Sequence, residues 1–185
     1  VMQTYASTCL AGILALEDAE LTRKLCPAGQ RITHDISPIT VGDFVTAGGL
    51  RKLGIENVPA IATRGVILDM VGLLGKDPVP EGTAFNRKEI DAAVARQGIK
   101  PPGKGDVVIF YTGWTKLIGK DDKRYGSVEP GLGVEGARYL ASLNVAAVGA
   151  DTWALEVIPF EVASNVFHVH QILLTENGMH ILENV

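Results

Sequence analysis

Cysteine is scarce. Cys9 and Cys26 are the only two in 185 residues, and neither belongs to a Cys-Xaa-Xaa-Cys or Cys/His spacing. That excludes a disulfide framework and a thiolate metal centre, leaving two free thiols of a reducing compartment, so a cytoplasmic protein is expected. An excess of positive charge is also missing, the formal balance being -4. Arg23-Lys24 and Arg51-Lys52 are isolated pairs, so no basic stripe faces phosphates and no nucleic-acid partner is expected. No apolar run approaches the roughly 20 residues of a membrane span. Cys9 to Leu16 has no basic residues before it and fits neither a transmembrane helix nor a secretory signal, so no membrane partner is expected. A Gly-Xaa-Ser-Xaa-Gly elbow, a P-loop and a dinucleotide fingerprint are all lacking, which removes the usual signs of covalent serine catalysis and nucleotide binding.

What is present reads as one domain, residues 1–185, in which helical and strand patterns alternate. Leu10, Ile13, Leu14, Leu21 and Leu25 fall at helical spacing between charged residues, and Pro27 and Gly29 end that pattern. A second short helix is expected from Thr40-Val-Gly-Asp43 to Lys52, stopped by Gly54. Val66 to Asp69, Asp106 to Tyr111 and Val145 to Gly149 are short, β-branched-rich apolar runs, read as buried central strands. Asn86-Arg-Lys-Glu89 has capping-box spacing ahead of a helix ending at Gly98. Pro130-Gly-Leu-Gly133 introduces another helix, Val134 to Leu143, and Lys116 to Tyr125 reads as a polar loop. This alternation predicts an α/β fold, a mixed, partly parallel β-sheet or barrel flanked by helices.

The chemistry gathers at the end of the chain, where three of the four histidines lie. Asp151 follows a buried strand, at the kind of strand end where open α/β sheets place their ligands. Val169 to Thr175 reads as a helix, Asn177-Gly178 as its break, and Met179 to Leu182 as a last strand ending on Glu183. His180 and Glu183, three apart on a strand, point to opposite faces, so His170 and Glu183 from separate elements are the better metal-ligand pair. The alternatives are a core histidine bonded to backbone and an exposed strand-end carboxylate. Trp153 and Trp114 are candidates to wall an aromatic substrate pocket, or are core. His34 beside Asp35 is a surface His near a turn, or a remnant of a ligand motif, and Asp69 is a turn or capping residue, or a support for the site.

Gly149-Ala-Asp-Thr-Trp153, Val169-His-Gln171 before a Leu-rich segment, and the closing Glu-Asn resemble the cyclase family of metal-dependent hydrolases, which includes kynurenine formamidase and isatin hydrolase. The resemblance continues upstream through Gly49-Leu-Arg-Lys-Leu-Gly-Ile55, Thr63 to Asp69, Gly105 to Ile109, Tyr111 to Trp114 and Glu129-Pro-Gly-Leu-Gly133, covering residues 39–185. Residues 1–37 do not share it, and Val1 in place of Met, with the stop at Val185, leads to the expectation of an incomplete chain. The resemblance implies a hydrolase of a C–N bond in a small aryl formamide or cyclic amide, with zinc or manganese as cofactor. It further implies His170 and Glu183 as metal ligands, Trp153 and Asp151 against the small-molecule substrate, and a homo-oligomer. The family's His-Xaa-Gly-Thr-His-Xaa-Asp run, which supplies much of its metal site, is not in this sequence. The opposing expectation is therefore an inactive relative with a structural or assembly role.

Overall fold

The computed structural model describes residues 60–185 and Val58, together with the backbone of the strand pair β1 (Val45–Thr46) and β2 (Gly49–Leu50). That antiparallel pair replaces the helix expected from Asp43 to Lys52. Val45 and Thr46 are β-branched, and Gly48-Gly49 breaks helical periodicity, so local propensity opposes the apolar spacing. The expected helix at Leu10 to Leu25, and Cys9, Cys26, His34 and Asp35, lie outside the described residues.

The centre is a parallel sheet of β3 (Gly65–Asp69), β5 (Val107–Tyr111), β7 (Ala147–Ala150) and β8 (His180–Leu182), in the order β3-β5-β7-β8. Joining parallel strands requires crossovers, and helices supply them. Met70–Leu74 (α1) and Arg87–Gln97 (α2) lie between β3 and β5, and Val134–Ser142 (α4) between β5 and β7. A second parallel pair, β4 (Ala84–Phe85) with β6 (Gly131–Leu132), stands beside the sheet. Helix α2 starts where its sequence directs, Glu89 Oε2 accepting the Asn86 N–H at 3.1 Å, and stops at Gly98 in the left-handed conformation.

The register sorts the strands into two faces. Val66, Leu68, Val108, Phe110, Val148, Ala150 and Ile181 point one way and join the buried core with Ile90, Val94, Leu140 and Ile172. Each such Leu or Phe, fully buried, contributes about 1.5–3 kcal/mol. Ile67, Ile109 and Leu182 point the other way, and Ile67 is 60% exposed. Gly149 sits among them because a Cβ there would come within 2.7 Å of the Leu182 Cβ.

Val66 to Asp69 was expected to be central, yet β3 is an outer strand of the described sheet. A continuous apolar run signals a parallel strand, not its rank in the order. The outward edge of β3 is occupied by one side chain at the end of α2: the Gln97 amide donates to Ile67 O at 2.8 Å and accepts from Asp69 N–H at 3.0 Å.

Two other expectations change. Lys116 to Tyr125 is not an open loop but a 3-10 turn (Trp114–Leu117) followed by the short helix α3 (Asp122–Tyr125). Asp121 caps α3 by accepting from Arg124 N–H, and the Arg124 guanidinium lies over the Trp114 ring. The helix expected over Val169 to Thr175 begins as a single α-turn, α5 (His168–His170), and widens into a π-turn over Gln171–Glu176. Among the described residues no helix is long and apolar enough to cross a membrane.

Candidate active site

β7 and β8 run side by side, so their carboxyl ends deliver Asp151 and Glu183 to one end of the sheet. The α5 turn drops between them and carries His170, which is 4% exposed. Its ring is bonded at both nitrogens: Nδ1 lies 2.7 Å from Glu156 Oε1 and Nε2 lies 3.2 Å from Glu183 Oε1. Glu156 also accepts the Val169 N–H at 3.0 Å, so one carboxylate fixes both the turn and the ring it carries. Burial alone would lower the His170 pKa, but the two carboxylates outweigh it and raise it to about 9. The two carboxylates thus favour the protonated form of the ring.

The expected residues separate into groups. His170 and Glu183 come into direct contact. Asp151 Oδ1 accepts from the N–H and hydroxyl of Thr112, at 2.8 and 2.6 Å, while its Oδ2 is buried without a partner among the described residues. Trp153 meets the Phe167 ring edge-to-face, and Phe167 in turn meets the His170 ring at 5.1 Å. The Trp153 indole N–H is buried and unpartnered there, as is Glu183 Oε2. Trp114 is fully buried beside them, its backbone N–H donating to the Thr112 hydroxyl and its indole N–H to Tyr125 O. Asp69 serves as the N-cap of α1, accepting from Gly72 N–H, far from the cluster in function.

Glu156, Glu129 and Tyr125 complete the site and were not singled out in the sequence. Glu129 is fully buried and accepts the N–H groups of Trp153 and Ala154. Burial pushes its carboxyl up to about 8, although those two N–H bonds pull it down. The Tyr125 hydroxyl, which donates to Asn184 Oδ1, is raised by burial and then by the charges of Glu129, Asp151 and Glu183. The available signal was a carboxylate inside an apolar run: Glu156 stands in Ala154-Leu-Glu-Val-Ile158.

Three non-glycine residues with positive φ flank these groups: Leu155 (59°) precedes Glu156, Phe167 (52°) opens the turn of His170, and Asn184 (56°) follows Glu183. Left-handed backbone is rarely adopted by side chains of this kind and persists where surroundings impose it.

As a metal centre the cluster is partial. His170 Nε2 and Glu183 are donors of the type that zinc and manganese accept. Among the described residues, however, no group of three or more His, Cys, Asp or Glu is arranged to hold an ion. Two donors do not make a coordination shell.

A parallel α/β sheet with a buried histidine between carboxylates at the carboxyl ends of its strands defines an α/β protein with an enzyme-like site. The Cyclase family model matches residues 33–157, more than half of the chain, and the chain belongs to that family. The matched stretch includes Glu129, Asp151, Trp153 and Glu156, while His170 and Glu183 lie past its end. A solved structure described as a novel cyclase is 28% identical, covering 80% of this chain and 49% of its own, with a TM-score of 0.69. An isatin hydrolase bound to the product analogue thioisatinate (20% identity, 65% of this chain, 45% of its own, TM-score 0.54) shares the fold. So does isatin hydrolase A from Ralstonia solanacearum (18%, 71%, 49%, TM-score 0.54). The chain spans about half the length of these solved structures. No curated protein matches it.

Proposed function

We propose that the chain is a hydrolase of the C–N bond in a small aryl formamide or cyclic amide, with His170 as its proton-transfer group. The observation that carries this is the double anchoring of the buried ring, Nδ1 on Glu156 and Nε2 on Glu183. Glu156 holds the proton at Nδ1, which leaves Nε2 as the position that gives or takes a proton. The Glu183 carboxylate beside it receives or returns that proton. Trp153 and Phe167 form an apolar wall suited to an aromatic amide, and Asp151 Oδ2 offers it an acceptor. Zinc or manganese is, on this reading, an alternative occupant of the same position: where an ion binds, Nε2 gives up its proton and His170 and Glu183 serve as two ligands. A homo-oligomeric, cytoplasmic protein goes with it.

Elemental analysis of the purified chain, with hydrolysis assays on N-formylkynurenine and isatin, tests the proposal. Expected are weak binding of added zinc or manganese and slow turnover, both removed by His170→Ala. A second reading, a relative that keeps the fold without turnover, is favoured by one observation: the sequence has no His-Xaa-Gly-Thr-His-Xaa-Asp run. Metal binding and turnover that are nil, or indifferent to His170→Ala, would establish that second reading.

A further inference from the structure

Glu129 belongs to neither member of the His170–Glu183 pair, yet its buried carboxylate is spent on the loop 151–158. Oε2 accepts the Trp153 N–H at 2.9 Å and the Ala154 N–H at 3.3 Å, and Oε1 accepts the Ala154 N–H at 3.1 Å. Its backbone is tied to the far end of the same loop, the N–H of Glu129 donating to Ile158 O and the N–H of Ile158 to Glu129 O, each at 3.0 Å. Between these ties β6 grips the loop again: Leu132 N–H donates to Leu155 O at 2.8 Å, and Val157 N–H donates to Leu132 O at 3.2 Å. The chain passes so close to β6 that a Cβ on Gly131 would collide with the Leu155 carbonyl oxygen. Held this way, the loop turns through Leu155 at positive φ and points the next side chain, Glu156, at the His170 ring.

We propose that Glu129 is a positioning residue for His170: its carboxylate fixes the register of the loop 151–158, and that register brings Glu156 to Nδ1 and keeps Nε2 facing Glu183. The backbone pairing of Glu129 with Ile158 restrains the loop's exit, Asn184 N–H holds Thr152 O at 3.0 Å at its entry, and the Glu129 side chain takes the next two N–H groups, of Trp153 and Ala154. Shortening that side chain frees those two N–H groups while leaving every other tie intact. The proposal rests on the reading of His170 as the working group, and its test does not use turnover.

The test follows the His170 Nδ1 proton by NMR in the full chain, together with amide exchange at Trp153 and Ala154. Donation to a buried carboxylate gives an exchange-protected, downfield Nδ1–H resonance. It is expected in the wild type and in Glu129→Gln, because one oxygen already reaches both N–H groups. Glu129→Asp withdraws the carboxylate by one methylene, so the resonance is lost while cooperative melting persists. A folded Glu129→Asp protein that keeps the wild-type resonance overturns the proposal. Should that variant not fold, Glu129→Gln decides: any loosening of the two amides must come with faster Nδ1–H exchange, and amides that loosen with Nδ1–H unmoved overturn it equally. Coupled loss in a chain without turnover leaves the positioning role standing and removes only the hydrolase reading.

Discussion

Helix α2 and the loop 151–158 differ in how they are held. In α2 every local rule agrees: Asn86 opens it, Glu89 reaches back to the Asn86 N–H, Ile90, Ala93 and Val94 face the core, and Gly98 ends it. In the loop the local rules are broken. Leu155 takes a conformation suited to glycine, Glu156 and Glu129 are charged residues with almost no exposure, and Trp153 keeps a buried N–H without a partner among the described residues. A segment that violates its own propensities has to be imposed by the rest of the molecule, and such violations collect where a protein works. The contrast implies that changes near α2 and the sheet register as stability, whereas changes near the loop also register in the state of His170.

The largest effect is expected in the sheet. Val148 is fully buried, so Val148→Asp puts an unpaired charge there at a cost of several kcal/mol, comparable with the whole stability of a domain. No cooperative melt should be seen by circular dichroism; a soluble, cooperatively melting variant would break the assignment of β7 to the core. Next comes His170→Ala, which leaves Glu156 and Glu183 buried without their cation. Breaking a buried pair costs about 3–5 kcal/mol, so a large fall in urea midpoint should accompany any loss of function. A variant as stable as the wild type would mean that the anchoring of His170 is not a structural interaction.

A third prediction separates the regions by pH. Glu129 titrates near 8 in the fold against 4.5 in the free side chain, so the folded state holds the extra proton between those values and stability falls as pH rises through that window. His170 acts in the same direction at higher pH: its contribution is full below 6.5 and is lost as pH passes about 9. Chemical denaturation at a series of pH values should show this decline, and Glu129→Gln should flatten its lower part while leaving the part near 9. An unchanged profile in Glu129→Gln would contradict the burial of that carboxyl. The smallest effect belongs to Asn86→Ala, about 1 kcal/mol from loss of the side-chain bonds to Gly136 N–H and Glu161 Oε1, with no change in the His170 resonance.

How much of this was legible follows the same division. α2, α4 and the apolar runs of β5 and β7 could be read because spacing and caps are local properties. His170 and Glu183 could be paired because both fall at ends of readable elements. The outer place of β3 in the described sheet could not be read, since an apolar run reports burial and parallel pairing but not order. The strand pair at 45–50 runs against its helix-like apolar spacing because its glycines and β-branched residues favour extended backbone. Glu156 was hidden for a different reason. Its partner His170 is fourteen residues away, and the left-handed turn at Leu155 that aims it is imposed by β6 and Glu129.

The Gln97 amide on the outer edge of β3 has a consequence for the protein's behaviour in a crowded solution. Parallel strands with an apolar, partly exposed face are natural templates for another chain to extend by hydrogen bonding. Here a donor and an acceptor that such an intruder would need, Asp69 N–H and Ile67 O, are already taken by one carboxamide, which offers its own N–H and C=O on the same side. One glutamine at the end of a helix thus stands where, among the described residues, no strand pairs with β3, and it denies those two groups to a strand on which a self-templating assembly would begin.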